Sequence, residues 1–197
     1  MSKKISILVI GAGGRGGNYC RYAESFPEKA RVVGVAEPRE FYREILAKKH
    51  EIPAENVFTC WKEAAQKKRF ADAVLICTQD SMHADPAVEF AAKGYHVLLE
   101  KPMATNEADC RRIVKAVKDA GVIFAVCHVL RYTKYTRELK AILDSGTIGE
   151  IVSVQHLEPV GYWPRRIRTC AVNGGTKPNL RACCWPSPVT TWTGFAT

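Results

Sequence analysis

The stretch ISILVIGAGGRG at residues 5–16 runs an aliphatic, β-branched segment straight into Gly11-x-Gly13-x-x-Gly16. Ile5–Ile10 reads as a strand buried on both faces, and a helix is expected from Arg15 to about Ala23. A strand that ends in three glycines and passes into a helix leaves bare backbone N–H groups at the helix N-terminus. The peptide dipoles favour an anion such as a pyrophosphate there. Gly11 permits the tight turn, Gly13 admits a ligand without a Cβ in the way, and Gly16 lets helix and strand pack closely. Ala12, Gly14 and Arg15 complete the loop as candidate cofactor-facing positions. Three glycines alone are a weak signal. The pattern also needs an acidic residue about 20 positions further on, at the end of the second strand. Arg31–Ala36 is that strand and Glu37 ends it. A surface glycine turn followed by an unrelated Glu is the competing reading.

Beyond Glu37, strand and helix patterns alternate, the signature of a doubly wound parallel sheet in an α/β, Rossmann-like fold. A helix is expected from about Arg39 to Lys49 with Phe41, Ile45 and Leu46 on one face. A short strand at Asn56–Thr59 and a short helix at Trp61–Lys68 follow. Ala73–Cys77 is a buried-type strand, Pro86 opens a helix that ends at Gly94, and His96–Leu99 is a strand. Glu107–Ala120 is a helix stopped by Gly121, and Val122–Cys127 a sixth strand. Tyr135–Ser145 is amphipathic, with Leu139, Ile142 and Leu143 facing one way and Gly146 as its cap. Ile151–Leu157 alternates like a half-exposed strand, which suggests that a second domain begins nearby.

The 197 residues suffice for one full α/β domain and a remnant. The net charge of +9 invites a nucleic-acid reading, but five of those charges (Arg165, Arg166, Arg168, Lys177, Arg181) lie in the acid-free stretch 164–197. The rest of the chain shows no basic stripe, so no nucleic-acid partner is expected. Eight cysteines form no C-x-x-C pair, which suggests neither a metal site nor a disulfide framework. The basic start MSKKISILVIG has too short an apolar run for a signal peptide, and no run approaches a membrane span. The chain reads as cytoplasmic, reduced and without a membrane partner.

Ligands of an open parallel sheet lie beyond the carboxyl ends of its strands. Three polar clusters occupy such positions. Thr78-Gln79-Asp80-Ser81-Met82-His83 follows the AVLIC strand and offers hydroxyls and amides to a ribose or phosphate; an ordinary solvated loop is the alternative. Glu100-Lys101-Pro102 follows HVLL, and an ammonium there, beside a nicotinamide, would polarise a substrate hydroxyl or carbonyl. Taken alone, Lys101 reads as a surface lysine. His128, Arg131 and Tyr132 follow the sixth strand, where a buried neutral His is commoner than a catalytic one.

GAGGRG, the strand-ending Glu37, the loop CTQDSMHAD and above all LLEKPMATN resemble the Gfo/Idh/MocA oxidoreductases, from about residue 3 to Trp163. The resemblance implies a Rossmann domain over 1–128 and the start of a substrate and oligomerisation domain over 129–163. It implies NAD or NADP bound by Gly11, Gly13, Gly16 and Glu37, with Thr78, His83 and Glu100 lining the cofactor cleft. Gln79, Arg39 and Arg131 are further candidates at that cleft, and Lys101 would be the catalytic residue near hydride transfer. Glu37 favours NAD, because a carboxylate accepts from a ribose diol and repels a 2′-phosphate, while Arg39 keeps NADP open. A sugar or polyol would be the substrate, and homo-oligomers would be the family's assembly. A non-enzymatic dinucleotide sensor is the alternative function.

After Trp163 the likeness stops. The last 34 residues hold three cysteines, two tryptophans, four prolines and no acid, without helical or strand periodicity, so 164–197 reads as an aberrant, disordered tail. Shifting the codons of Cys183-Cys184-Trp185-Pro186 back by one base forces Leu-Leu-Ala, and Trp192-Thr193 then forces Asp. That points to a frameshift near Trp163 and to a chain that binds nucleotide but turns over weakly or not at all. Trp185, Trp192 and Phe195, with an uncovered strand at 151–157, also lead one to expect poor solubility.

Overall fold

In a computed structural model of the chain, residues 3–155 and 157 are described. They fall into two units divided between Thr133 and Lys134. The first holds six strands, β1 (Ile5–Ile10), β2 (Ala30–Ala36), β3 (Val57–Phe58), β4 (Ala73–Ile76), β5 (His96–Leu99) and β6 (Phe124–Val126). Between them run α1 (Gly14–Ser25), α2 (Glu40–Lys49), α3 (Trp61–Gln66), α4 (Ala84–Ala92) and α5 (Glu107–Ala120). All pairings are parallel, in the order β3-β2-β1-β4-β5-β6. The order reverses between β1 and β4, so the connections leave β1 and β4 in opposite directions and open a crevice at the carboxyl edge there.

The strands are continuous aliphatic runs because both faces are covered. Leu8, Ile10, Val74, Ile76, Val97 and Leu99 point to one core, with Phe90, Tyr95 and Ile113. Val9, Val35 and Leu75 point to the other, with Cys20, Ala23 and Leu46. Tyr95, fully buried, stands edge-on to Phe90 with centroids 5.2 Å apart, and its hydroxyl accepts from the Phe70 N–H at 3.2 Å. Burial pushes the Cys20 thiol up to about 12, which leaves it an unreactive filler.

Several boundaries differ from expectation. On α2 Leu46 is buried, but Phe41 and Ile45 are 68% and 48% exposed. The inward stripe is instead Arg43, Leu46, Ala47 and His50, at i, i+3, i+4 and i+7. Arg43 belongs to it because its guanidinium donates to the carbonyls of Glu37 and Pro38. Helix α4 opens two residues before Pro86, which fits within the first turn because its missing N–H would have had no partner. Strand β6 is only three residues long and half-exposed. Residues 151–155 and 157 form no strand. A β-strand exists only when paired, and among the described residues nothing pairs with them. In the second unit α6 (Lys134–Asp144) forms as its amphipathic pattern implies, with Leu139 and Ile142 exposed. The readings for 158–197, including Trp185, Trp192 and Phe195, lie outside the described residues.

At the amino edge of the sheet, Asp72 ties the start of β1 to the start of β4. Its carboxylate accepts from the Ser6 N–H at 2.9 Å, the Ser6 hydroxyl at 2.6 Å and Lys3 Nζ at 2.7 Å. These bonds, that from Lys3 largest, hold its pKa well below the usual carboxylate range. A depressed pKa contributes stability that is complete above the unfolded value near about 4 and is lost as pH falls below it. Asp72→Asn is therefore expected to lower stability at pH 7 by about 1–2 kcal/mol, with the deficit shrinking steadily as pH is lowered from about 5 to 2. Urea titrations at several pH values check this, and a deficit independent of pH refutes it.

Candidate functional site

The register places five residues, each one step past a strand end, in a single row. Gly11 N–H donates to Ala36 O, Cys77 N–H to Ile10 O and Glu37 N–H to Phe58 O. Glu100 N–H donates to Ile76 O and Cys127 N–H to Leu99 O, all five at 2.8–3.1 Å. Two buried carboxylates, Glu37 at 2% exposure and Glu100 at 6%, thus stand at the carboxyl edge on either side of the glycine loop.

The loop itself is shaped by two close approaches. Gly11 has φ +89°, and a Cβ there would lie 2.6 Å from the Cys77 carbonyl oxygen. A Cβ on Gly16 would lie 2.0 Å from the Gly11 carbonyl oxygen, so α1 rests directly on the loop that precedes it. Gly13 is different, because a Cβ there would meet only Arg39 Nη2, at 3.0 Å. Gly14 and Arg15 are exposed at the first turn of α1, and Ala12 is buried.

Glu37 is bound into the loop. Its Oε2 accepts from the Ala12 N–H at 2.8 Å and from Arg39 Nη2 at 3.1 Å. Its Oε1 accepts from Arg39 Nε at 2.7 Å and from the Arg39 N–H at 3.1 Å. Burial alone would push this carboxyl up. The bonds from Arg39 and Ala12 outweigh burial and hold it below its ordinary value. Arg39 also lies over the Tyr42 ring, 4.2 Å from its centroid.

Glu100 is held from α1. Tyr19 donates its hydroxyl to Oε1 at 2.9 Å, and Arg15 Nε lies 3.4 Å from the same oxygen. Oε2 accepts from the Lys101 N–H at 2.5 Å. Burial first, then the Glu100 carboxylate, keeps the Tyr19 proton on well above the ordinary tyrosine range. Lys101 is exposed, and the Lys101–Pro102 peptide is cis. His83, 1% exposed, sets Nδ1 2.7 Å from the Pro102 carbonyl and Nε2 3.2 Å from the Thr78 carbonyl. It therefore clamps the loop after β4 to the loop after β5. Thr78 donates its hydroxyl to the Met82 carbonyl, and Gln79 is exposed just before a 3-10 turn at Asp80–Met82.

The structure thus gathers the glycine loop with Glu37 and Arg39 on one side and His83, Glu100 and Lys101 on the other, with Arg15 reaching Glu100 between them. Arg131 stands apart, exposed in a turn beyond the edge strand β6. Sequence reading missed Tyr19, which partners Glu100 across 81 positions, and the seating of Arg39 over Gly13. The only local hint of Tyr19 is that it follows Arg15 by four, one helical turn.

Among known proteins, the oxidoreductase family with an NAD-binding Rossmann fold, Gfo/Idh/MocA, matches residues 5–128. The chain is 29% identical over 149 residues to a 2,7-anhydro-N-acetylneuraminate hydratase of Escherichia coli, covering 76% of this chain and 38% of that protein. It is 33% identical over 151 residues to an inositol 2-dehydrogenase of Streptomyces avermitilis, covering 76% and 43%. The WlbA dehydrogenase of Bordetella pertussis, solved with NADH and UDP-GlcNAcA, superposes with a TM-score of 0.71 at 25% identity, over 78% of this chain and 45% of that one. The chain therefore spans less than half the length of these relatives. The matched segment covers more than half of the chain and contains the glycine loop, Glu37 and Glu100-Lys101-Pro102, so the chain belongs to the Gfo/Idh/MocA family of oxidoreductases, with their NAD-binding Rossmann fold.

Proposed function

We propose that the crevice between β1 and β4 binds NAD or NADP, NAD by preference, for oxidation of a sugar or polyol hydroxyl or reduction of the matching carbonyl. One observation carries this reading: a carboxylate nine-tenths buried, Glu37, is fixed by the Ala12 amide beside a glycine whose missing Cβ leaves the loop backbone bare. Arg39 neutralises this buried charge in the free chain, and a diol beside a diphosphate is the ligand that such an acid and such amides suit. Bound nicotinamide would supply a hydride acceptor or donor.

The chain's own residues do the rest. Gly11–Gly16 present amides and the α1 dipole to the diphosphate, and Glu37 accepts from the adenosine ribose. Gln79 and Thr78 face the nicotinamide half. His83 acts through the Pro102 carbonyl to position Lys101, whose neutral amine takes the hydroxyl proton in oxidation and whose ammonium returns it to the oxygen in reduction. A hydratase and a dehydrogenase match this same stretch, which supports a shared cofactor half with the substrate chosen elsewhere. We further infer that residues 1–128 are the nucleotide domain, that 129–163 open the substrate domain, and that this chain alone turns over weakly or not at all.

The test is a fluorescence titration with NADH on the wild type and on Gly13→Ala. The new methyl meets only the flexible end of Arg39, and residue 13 has φ −68°, so folding is expected to change by less than about 1 kcal/mol. The methyl nonetheless stands where the cofactor must approach, and NADH affinity is expected to fall about tenfold or more. Unaltered affinity refutes the site. Steady-state turnover of polyols by the chain at a rate ordinary for dehydrogenases, roughly 10 per second, refutes the inactivity.

A further inference from the structure

The far end of α2 holds a buried imidazole whose outer nitrogen bonds to nothing. His50 caps the helix on its inward stripe, and its side chain is 8% exposed. Its Nε2 is enclosed and has no hydrogen-bond partner. Glu24 Oε1, from α1, lies 3.6 Å away, too far for a hydrogen bond. The other Glu24 oxygen is paired with Lys49 Nζ at 2.9 Å, so a cation beside the histidine already answers this acid.

The turn that follows is strained. Glu51 has φ +52°, in the left-handed region where a helix end usually places glycine. It is closed by the Ile52 N–H, which donates to the Ala47 carbonyl at 2.9 Å. Ile52 packs with Leu46 and Cys20 in one buried core. The turn therefore stays shut because of what surrounds it, and His50 is the residue just before it.

A proton on His50 changes that balance. An imidazolium carries N–H on both nitrogens and needs acceptors or water for each. Burial, the largest influence, opposes the charged ring, and so does Lys49; Glu24 favours it, as does the negative end of the α2 dipole. Burial prevails, so the ring resists protonation more than a free histidine does. Such a histidine supports the fold above about pH 6.5, its value when exposed, and withdraws that support as pH falls below it.

We propose that His50 is an acid-released latch between α1 and α2: the neutral ring fills the gap beside Glu24 and keeps the strained turn at Glu51 shut, and the protonated ring leaves for water and lets residues 50–52 open. The opening is local to the end of α2. The amides of Val9 and Leu75, paired in the middle of the sheet, serve as its reference.

Amide hydrogen exchange of His50, Glu51 and Ile52 in the full chain tests this, corrected for the intrinsic rate at each pH. Protection in the wild type is expected to fall about 5- to 30-fold between about pH 7.5 and 5, while Val9 and Leu75 change less than about twofold. His50→Gln keeps a polar side chain but takes up no proton, so its protection at the same amides is expected to stay within about twofold across that range. The wild-type imidazole is titrated by NMR in parallel, so the test does not depend on the variant folding. Its midpoint is expected below about 6.5. A midpoint at or above that value would mean that the charged ring stays and closes on Glu24, and it overturns the latch. An acid loss equally large in His50→Gln, or none in the wild type, overturns it as well.

Discussion

Gly16→Ala is expected to lose about 3 kcal/mol of stability or more, while Gly17→Ala, one residue further along the same helix, is expected to gain up to about 1 kcal/mol. Both glycines lie inside α1, where alanine is the better helix former. The difference is what the added methyl meets. At Gly17 the nearest atom is the Ala12 carbonyl oxygen at 3.9 Å, an ordinary contact. At Gly16 it is the Gly11 carbonyl oxygen at 2.0 Å, with the Gly11 carbonyl carbon at 3.1 Å behind it. Those are backbone atoms of a residue at φ +89°, itself hydrogen-bonded to β2 through Ala36, so they cannot yield. The helix must move instead, and α1 also packs Cys20 and Ala23 into the core. Chemical denaturation of the two variants side by side measures the contrast. A Gly16→Ala protein within about 0.5 kcal/mol of wild type would mean that α1 does not rest on the loop.

That contrast also shows why the loop was legible in sequence. Gly11 and Gly16 are required by backbone geometry within six residues, and a local requirement leaves a local pattern. The same holds for Ile5–Ile10, Ala73–Ile76 and His96–Leu99, where burial on both faces demands unbroken aliphatic residues. Legibility fails where the deciding contact is distant or polar. The inward stripe of α2 includes Arg43 because of carbonyls at Glu37 and Pro38, so hydrophobicity alone set the helix in the wrong phase. Ile151–Leu157 alternates properly, but alternation states which faces a strand would have, not that a partner exists. At the site, Glu37 could be found by counting from the glycines. That Arg39 fills its remaining acceptors and lies over Gly13 follows from how β2 turns into α2, which no spacing rule encodes.

The same limit hides the partner of Glu100, and the largest expected effect at the other end of the crevice depends on it. Tyr19 and Arg15 stand one turn apart on α1 and converge on one carboxylate oxygen, so Glu100 fastens the first turns of the phosphate-facing helix to the end of β5. Glu100→Ala removes an acceptor that is 6% exposed, strands the Lys101 N–H and leaves the Tyr19 hydroxyl only Cys127 as a partner, a loss of about 3 kcal/mol. Glu100→Gln keeps one oxygen but turns a donor toward the other partner, so about 2 kcal/mol is expected. Tyr19→Phe, which leaves the carboxylate its Lys101 and Arg15 contacts, should lose about 1 kcal/mol. Because the tyrosine proton is held well above its usual range, these differences should stay flat from about pH 6 to 9. The double variant Glu100→Ala with Tyr19→Phe decides whether the two act together. With one contact removed twice, its loss should fall about 1 kcal/mol short of the sum of the singles, because phenylalanine leaves no hydroxyl to orphan. Strict additivity would mean that Tyr19 and Glu100 are stabilised by separate neighbours, and Arg15 alone would then tie α1 to Glu100 at the end of β5.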